Sequence, residues 1–181
     1  MILGITGSFG AGKGAVVEYL VAERGFRHYS ASGFITEEIK LRDLPINRDS
    51  MTIVANDLRK ERGPSYVIDS LYTRAKVNGG DAVIESLRAV AEVRRIKELG
   101  GLVLGINATP ELRYERAFAR GSEKDHVTFE KWQEQEQAES NPDDPTKQDI
   151  FGALRESNIV IDNNGSLEEL RAKIDYVLSH M

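Results

Sequence analysis

Residues 7 to 14 read Gly7-Ser8-Phe9-Gly10-Ala11-Gly12-Lys13-Gly14, and this stretch decides the fold of the chain. It satisfies the pattern G-x-x-x-x-G-K, in which glycines let backbone N–H groups converge on an anion without interference from Cβ atoms. The apolar run from Ile2 to Thr6 predicts a buried strand before it, and Lys13 to Glu23 predicts a helix after it. The positive end of that helix points at the loop. The sequence therefore predicts a phosphate-binding loop.

We expect this loop to hold the phosphates of a nucleotide, with Lys13 as the cation for the transferring phosphoryl group. The residues after the lysine are Gly14 and Ala15, so neither position supplies the hydroxyl that normally binds Mg²⁺. Either the metal is held through water and a carboxylate, or the nucleotide binds with weaker dependence on metal. The predicted nucleotide-binding residues of the loop are Gly7, Ser8, Phe9, Gly10, Ala11, Gly12, Lys13, Gly14 and Ala15.

The composition fits one globular domain over all 181 residues, with 40% apolar and 29% charged residues. The absence of Cys excludes disulfide scaffolds, cysteine zinc sites, iron–sulfur clusters and thiol nucleophiles. A net charge of -5 gives no general basic field for nucleic acid, and the apolar runs are too short to span a bilayer. The N-terminus carries no leader pattern. We expect a cytoplasmic monomer or homodimer that binds neither nucleic acid nor membrane.

Short apolar strands alternate with helices along the chain, which predicts a three-layer α/β fold of the P-loop type. A five-stranded parallel sheet is expected, with helices on both faces. Residues 32–78 are predicted to form a helical acceptor-binding region, and the polar residues 121–149 a small helical lid anchored by Trp132. Further helix features are an N-cap at Ser32, a capping box at Ser166 and Glu169, and Phe118 in the core. The predicted strands are 2–6, 26–29, 82–84, 102–106 and 159–161.

Several segments resemble adenylate kinases and other nucleoside monophosphate kinases. The loop has Gly-Lys-Gly in place of Gly-Lys-Thr, as in that family, and Ser30 to Gly33 resembles the element that opens the monophosphate-binding region. Val83 to Arg88 resembles the strand whose acidic end serves the metal and whose Arg holds the acceptor phosphate. Arg116 to Arg120 resembles the R-x-x-x-R that opens the lid.

Other segments are more similar to dephospho-CoA kinases, namely Gly4 to Gly7 and Asn158 to Leu170. The chain as a whole resembles small P-loop kinases labelled adenylate-kinase-like or dephospho-CoA-kinase-like. It departs from the first family at Phe34, where an Asp is usual, and from the second at His28 to Ser32, which lacks an Asp-rich segment. The resemblance implies the fold and the reaction type, and it leaves the acceptor open.

Arginines and one glutamate are the candidates for catalysis. Arg88 follows a strand end, where a guanidinium can hold an acceptor phosphate bidentately, and it is otherwise a surface Arg that starts a helix. Glu85 either orients Mg²⁺ through water or is a charge favoured at a helix N-terminus. Arg116 and Arg120 share a helix face, where they clamp the donor nucleotide and stabilise transferring charge or form a solvated charged face.

Further candidates border the two substrates. Arg59 falls at a helix end that would face the acceptor cleft. Ser32 and Gly33 contact the acceptor through hydroxyl and backbone, or serve only as a helix cap. Asn163 and Gly165 follow the last strand and either border the adenine or form a turn before the next helix.

Together these features predict an ATP-dependent phosphotransferase that uses Mg²⁺ and moves the γ-phosphoryl to a small nucleotide-like acceptor. A nucleoside or deoxynucleoside monophosphate is the first choice, and dephospho-CoA is the alternative. A different class of protein, an ATP-binding regulator with weak or no hydrolysis, is favoured by the missing hydroxyl and by the Arg-poor residues 121–149.

Overall fold

The computed structural model describes residues 1–119, 127–138, 140, 143–144 and 147–180 of the chain. For Arg48 and Ala138, which lie inside helices, the side chains are outside the description. Arg120 and part of the predicted lid also fall outside the described residues.

Five strands form a parallel sheet in the order β2-β3-β1-β4-β5. Every residue of the central strand is buried, which is the environment that its uninterrupted apolar sequence predicts. The parallel five-stranded sheet with helices on both faces confirms the predicted fold class. The strands are β1 (Ile2–Gly7), β2 (Arg27–Ser30), β3 (Ala82–Leu87), β4 (Leu102–Asn107) and β5 (Ile159–Asp162).

The helices largely follow the apolar periodicity of the sequence, with two differences. The cap of the second helix is Ser30, whose Oγ accepts the N–H of Gly33 at 3.2 Å, so the predicted N-cap at Ser32 was wrong. The short helix before β5 was not predicted. The helices are α1 (Lys13–Arg24), α2 (Ala31–Leu41), α3 (Arg48–Arg62), α4 (Tyr66–Asn78), α5 (Val90–Glu98), α6 (Pro110–Ala119), α7 (Phe129–Ala138), α8 (Ile150–Glu156) and α9 (Leu167–Ser179).

Two apolar cores lie on opposite faces of the sheet. Helices α1 and α9 cover one face, where Leu3 and Ile5 of β1 meet Leu20 and Ile174. Helices α2 to α5, together with Ala153 of α8, cover the other face. Among the described residues, no helix is long and apolar enough to cross a membrane.

The sheet order places the carboxyl ends of β1, β3 and β4 side by side. The chain leaves β1 towards β2 at one edge of the sheet, and it leaves β4 towards β5 at the other. Connections that diverge in this way open a crevice at the carboxyl edge, which is where open parallel sheets bind ligands. The phosphate-binding loop follows β1 and therefore lies at this edge.

The described part of the predicted lid includes α7, which packs against α6. Trp132 is only 4% exposed and stacks on Phe129, with ring centroids 6.3 Å apart. Tyr114 of α6 lies edge-on to Trp132 at 6.0 Å. Phe118, in contrast, is 48% exposed, so its predicted place in the core was wrong. The aromatic cluster explains why α7 is fixed to the body.

A polar cluster joins α1 to α9 at their outer surface. The carboxylate of Asp175 accepts hydrogen bonds from Arg24 Nε at 2.9 Å and from the Tyr19 hydroxyl at 2.8 Å. The hydrogen bond from Arg24, followed by that from Tyr19, holds the pKa of Asp175 below its ordinary value.

We expect Asp175→Asn to lower the free energy of unfolding near pH 7 by at most about 1 kcal/mol, since the ion pair is exposed to solvent. A carboxyl with a lowered folded-state pKa stabilises above its unfolded pKa of about 3.9 and loses that effect as the pH falls through the folded value. The difference between variant and wild type should therefore vanish in acid, as measured by urea unfolding across pH.

The matched control is Glu18→Gln, which removes an exposed carboxyl from α1, the helix that carries Tyr19 and Arg24, with no charged partner in the described part of the chain. A stability difference for Asp175→Asn that persisted unchanged into acid would contradict the assignment.

Candidate active site

The loop between β1 and α1 is held in a shape that only glycine permits. Gly10 has a φ of +73°, and a Cβ built on it would lie 2.1 Å from the carbonyl oxygen of Arg113. Gly12 has a φ of +98° and is the N-cap of α1. Gly12 has no side chain that could cap the helix. The first N–H groups of α1 therefore receive no hydrogen bond from a capping side chain, and they point into the loop. This backbone cradle fits a phosphate group.

Lys13 lies folded over the loop. Its Nζ donates to the carbonyl oxygen of Gly7 at 2.7 Å and to that of Ser8 at 2.9 Å. The Ser8 hydroxyl is fully buried, and no described residue pairs with it. Gly14 and Ala15, which follow Lys13 in the first turn of α1, supply no hydroxyl. The loop thus offers one ammonium and several backbone N–H groups to an anion.

Asn163 ties the loop to the ends of two strands. Its Nδ2 donates to the carbonyl oxygen of Ala11 at 2.9 Å, and its backbone N–H donates to Asn107 at 2.7 Å. Arg116 donates from Nη1 to the carbonyl oxygen of Asn163 at 2.9 Å. The structure therefore brings Arg116 and Asn163 together beside the loop. Gly165 lies in the turn before the capping box of α9, which confirms the predicted box.

Arg113 is a buried residue at the loop that the sequence did not single out as a candidate. Its Nε donates to the carbonyl oxygen of Ala108 at 3.0 Å, and its Nη1 donates to that of Phe9 at 3.5 Å. The guanidinium pairs with Glu136 and lies 5.1 Å from the ring centre of Trp132. Arg113 therefore links α7 to the phosphate-binding loop.

Arg88 comes to the loop from the other side. Its guanidinium lies 5.3 Å from the ring centre of Phe9, and its Nη1 donates to Gln148 Oε1 at 3.3 Å. Its carbonyl oxygen accepts the N–H of Asp149 at 2.8 Å. A second cation, from the end of β3, therefore stands directly beside the loop.

Glu85 forms a separate polar group with the start of α2. Its Oε1 accepts from the Ser30 hydroxyl at 3.0 Å and lies 3.3 Å from His28 Nε2. The Ser32 hydroxyl is 2.9 Å from that of Ser30, and the N–H of Gly33 also points to Ser30. Ser32, Gly33 and Glu85 are thus brought together at the carboxyl ends of β2 and β3.

Backbone strain accompanies Glu85. Ser86 has a φ of +69°, and the pairing of β1 with β3 shifts there, so that Ile5 faces Glu85 and Thr6 faces Leu87. A bulge of this kind re-aims the residues on either side of it. The Thr6 hydroxyl fixes it by donating to the carbonyl oxygen of Leu87 at 2.8 Å.

The guanidinium of Arg59 is not exposed on the acceptor side. Its side chain is 4% exposed and pairs with the equally buried Glu92 of α5. The burial of Arg59 has a signal in the sequence, namely its spacing, because Arg59 follows the buried Ala55 by one helical turn and lies on the same face of the helix. The same signal applies to Arg113, which precedes the buried Ala117 by one turn. Arg120 lies outside the described residues.

We expect Gly10→Ala to lower the free energy of unfolding by more than about 1 kcal/mol, because a Cβ is disfavoured at positive φ and would meet a backbone carbonyl. Binding of a fluorescent ATP analogue should weaken in parallel. Gly14→Ala is the matched control for stability, since no atom lies within 4 Å of a Cβ there. Equal melting temperatures for the two variants would contradict this account of the loop.

Asn163→Ala should weaken ATP binding about five- to tenfold, because it removes one hydrogen bond worth about 1 kcal/mol from the loop carbonyl of Ala11. The control is Asn164→Ala. The Oδ1 of Asn164 accepts a hydrogen bond from the N–H of Thr109 at 2.8 Å, and this contact does not involve the loop. Isothermal titration with ATP compares the two. Equal losses of affinity would show that Asn163 has no particular role in holding the loop.

Comparisons with known proteins agree with this geometry. A family described as AAA domain matches residues 3–142. The chain is 30% identical to UPF0200 protein PH1008 of Pyrococcus horikoshii, over 99% of this chain and 96% of the relative. It is 29% identical to UPF0200 protein TK1334 of Thermococcus kodakarensis, over 96% of this chain and 94% of that one.

Solved structures share the fold at low identity. TT1252 from Thermus thermophilus superposes with a TM-score of 0.60 at 19% identity, covering 100% of this chain and 97% of the other. Shikimate kinase from Aquifex aeolicus vf5 does so with a TM-score of 0.58 at 15% identity, covering 99% and 97%. The fold is that of small P-loop kinases, and the chain belongs to the AAA domain family and to the UPF0200 proteins.

Proposed function

We propose that this protein transfers the γ-phosphoryl group of ATP to a small acceptor. The observation that carries the proposal is the contact between Phe9 and Arg88, which are 5.3 Å apart from ring centre to guanidinium carbon. A protein that only binds nucleotide needs the loop and its lysine. The additional guanidinium beside the loop would hold a second anionic group, that of the acceptor, next to the phosphates of ATP, as phosphoryl transfer requires.

Each residue then has a defined task. The backbone of the loop binds the β- and γ-phosphates, and Lys13 exchanges its bonds to the carbonyl groups of Gly7 and Ser8 for bonds to phosphate oxygens. Arg88 orients the acceptor, and Arg116 lies on the donor side with Asn163. Catalysis rests on positioning and on neutralisation of charge, with no covalent intermediate.

Mg²⁺ would accompany ATP and neutralise charge on its phosphates. Among the described residues, no cluster of His, Asp and Glu forms a metal centre of its own. Glu85, the carboxylate at the end of β3, would hold the metal through water. This is how the site would work without a hydroxyl at Gly14 or Ala15.

A nucleoside or deoxynucleoside monophosphate remains the first candidate acceptor, because Arg88 stands where it would hold the acceptor phosphate. Dephospho-CoA, which accepts on a hydroxyl, is the second. It is favoured by the burial of Arg59 against Glu92, which leaves the described acceptor side with fewer cations for a phosphate than the sequence predicted. The carboxylate of Glu85, grouped with the hydroxyls of Ser30 and Ser32, points the same way.

The test is formation of ADP from ATP and Mg²⁺ with a panel of nucleoside and deoxynucleoside monophosphates and dephospho-CoA. We expect one acceptor to stimulate turnover, and Lys13→Ala to reduce that turnover by about 100-fold or more, as for the loss of a donor to the transferring group. Stimulation by dephospho-CoA alone would replace the first candidate by the second.

The control for folding is the melting temperature of Lys13→Ala, which removes the hydrogen bonds of Nζ to the carbonyl oxygens of Gly7 and Ser8 in the loop. If no acceptor raises ADP formation above the Lys13→Ala background while ATP still binds, the protein is an ATP-binding regulator and the proposal is wrong.

A further inference from the structure

The ion pair between Arg59 and Glu92 is buried at the junction of α3 and α5. The two side chains are 4% and 3% exposed. Oε1 of Glu92 accepts from Arg59 Nε at 3.2 Å and from Nη2 at 3.0 Å. Burial of two charges is expensive, and well-packed apolar residues of the same size are often equally stable or more stable. Stability alone therefore does not account for this pair.

The second carboxylate oxygen of Glu92 holds the backbone that carries Arg88. Oε2 accepts the N–H of Arg88 at 2.7 Å and the N–H of Ala89 at 3.2 Å. Ala89 is the N-cap of α5 and has no side chain that could cap the helix, so Glu92 performs that task from within the helix. With Arg59 on one oxygen, the other oxygen of the carboxylate is aimed at these two N–H groups.

Arg88 is then restrained at three places. Its N–H is held by Glu92, its carbonyl oxygen accepts from Asp149 at 2.8 Å, and its guanidinium lies between Phe9 and Gln148. The strained Ser86 comes two residues earlier, with a φ of +69°. A bulge that contains a left-handed residue needs such restraints, because the relaxed conformation of that residue would carry Arg88 away from the loop.

We propose that Arg59 and Glu92 are positioning residues that aim Arg88 at the phosphate-binding loop. This inference rests on the proposed phosphotransfer for its catalytic consequence. Arg59 belongs to α3, which packs with α2 and α4 in the predicted acceptor-binding region 32–78. The pair therefore also joins the helices that would surround an acceptor to the arginine that would orient it.

The test compares Arg59→Met, Glu92→Met and the double variant. Each single variant leaves one buried charge unpaired, so its melting temperature should fall, whereas the double variant should recover stability because both charges are gone. The double variant should regain stability but not the hydrogen bonds at residues 88 and 89 or the activity that depends on them. The amides of residues 88 and 89 should exchange with deuterium at least about tenfold faster in the double variant than in wild type, since their acceptor is lost.

With the best acceptor from the panel, kcat/KM for that acceptor should fall about tenfold or more in the double variant, with the KM for ATP unchanged. Arg59→Lys, which keeps the charge, should recover part of the loss. The matched control is the exposed pair of Arg24 with Asp175, whose side chains are each 40% exposed on α1 and α9, outside the region 32–78. Removing that pair should change neither amide exchange nor kinetics.

A stable double variant with wild-type amide exchange or wild-type kcat/KM would overturn the proposal and leave the pair as a packing feature. If no acceptor in the panel supports turnover, the proposed function fails on its own. In that case wild-type exchange at residues 88 and 89 in the double variant still overturns the positioning role, and faster exchange supports it.

Discussion

The close approach of neighbouring backbones to the loop after β1 is the constraint on which the site depends. A Cβ on Gly7 would lie 2.2 Å from the carbonyl oxygen of Ile106, and one on Gly10 would lie 2.1 Å from that of Arg113. The first contact follows from the sheet, where Gly7 pairs with Ile106 of β4. The second requires α6 to begin directly after β4 and turn back over the loop. The glycines are thus fitted both to a phosphate and to the chain that supports the loop from behind.

Two buried ion pairs use this framework in the same way. Arg113 pairs with Glu136 and donates to the carbonyl oxygen of Phe9, while Glu92 pairs with Arg59 and accepts from the N–H of Arg88. In each pair, one residue neutralises the charge of the other, and that other residue forms a hydrogen bond with the backbone of a segment at the site. Arg113 bonds to the backbone of Phe9, and Glu92 bonds to the backbone of Arg88. The net charge of -5 does not reveal this arrangement, because a sum of charges does not distinguish the buried, paired Arg59 and Arg113 from arginines at the surface.

The sequence predicted what depends on local pattern and missed what depends on distant partners. The glycine spacing and the short apolar runs sufficed to predict the loop and five parallel strands, since each of these is encoded within a few residues, whereas the order of the strands in the sheet was not predicted. The fate of Arg59 depends on Glu92, which lies 33 positions further along the chain, and no local pattern names that partner. Ser30 rather than Ser32 became the cap because β2 runs one residue further than its apolar run suggested. Helix α8 is short, and in the sequence it merges with the polar residues before it.

Phe9 is the point at which the two halves of the site meet. Its carbonyl oxygen faces Arg113, which is fixed to α7, and its ring faces Arg88, which is fixed to α5 and, through Glu92, to α3. The donor phosphates would lie on the backbone of the loop that contains Phe9, and the acceptor would lie beside Arg88. A displacement of either arginine therefore acts on the same residue of the loop. Because Trp132 and Glu136 anchor α7 and Glu136 pairs with Arg113, this helix supports the backbone of the loop at Phe9.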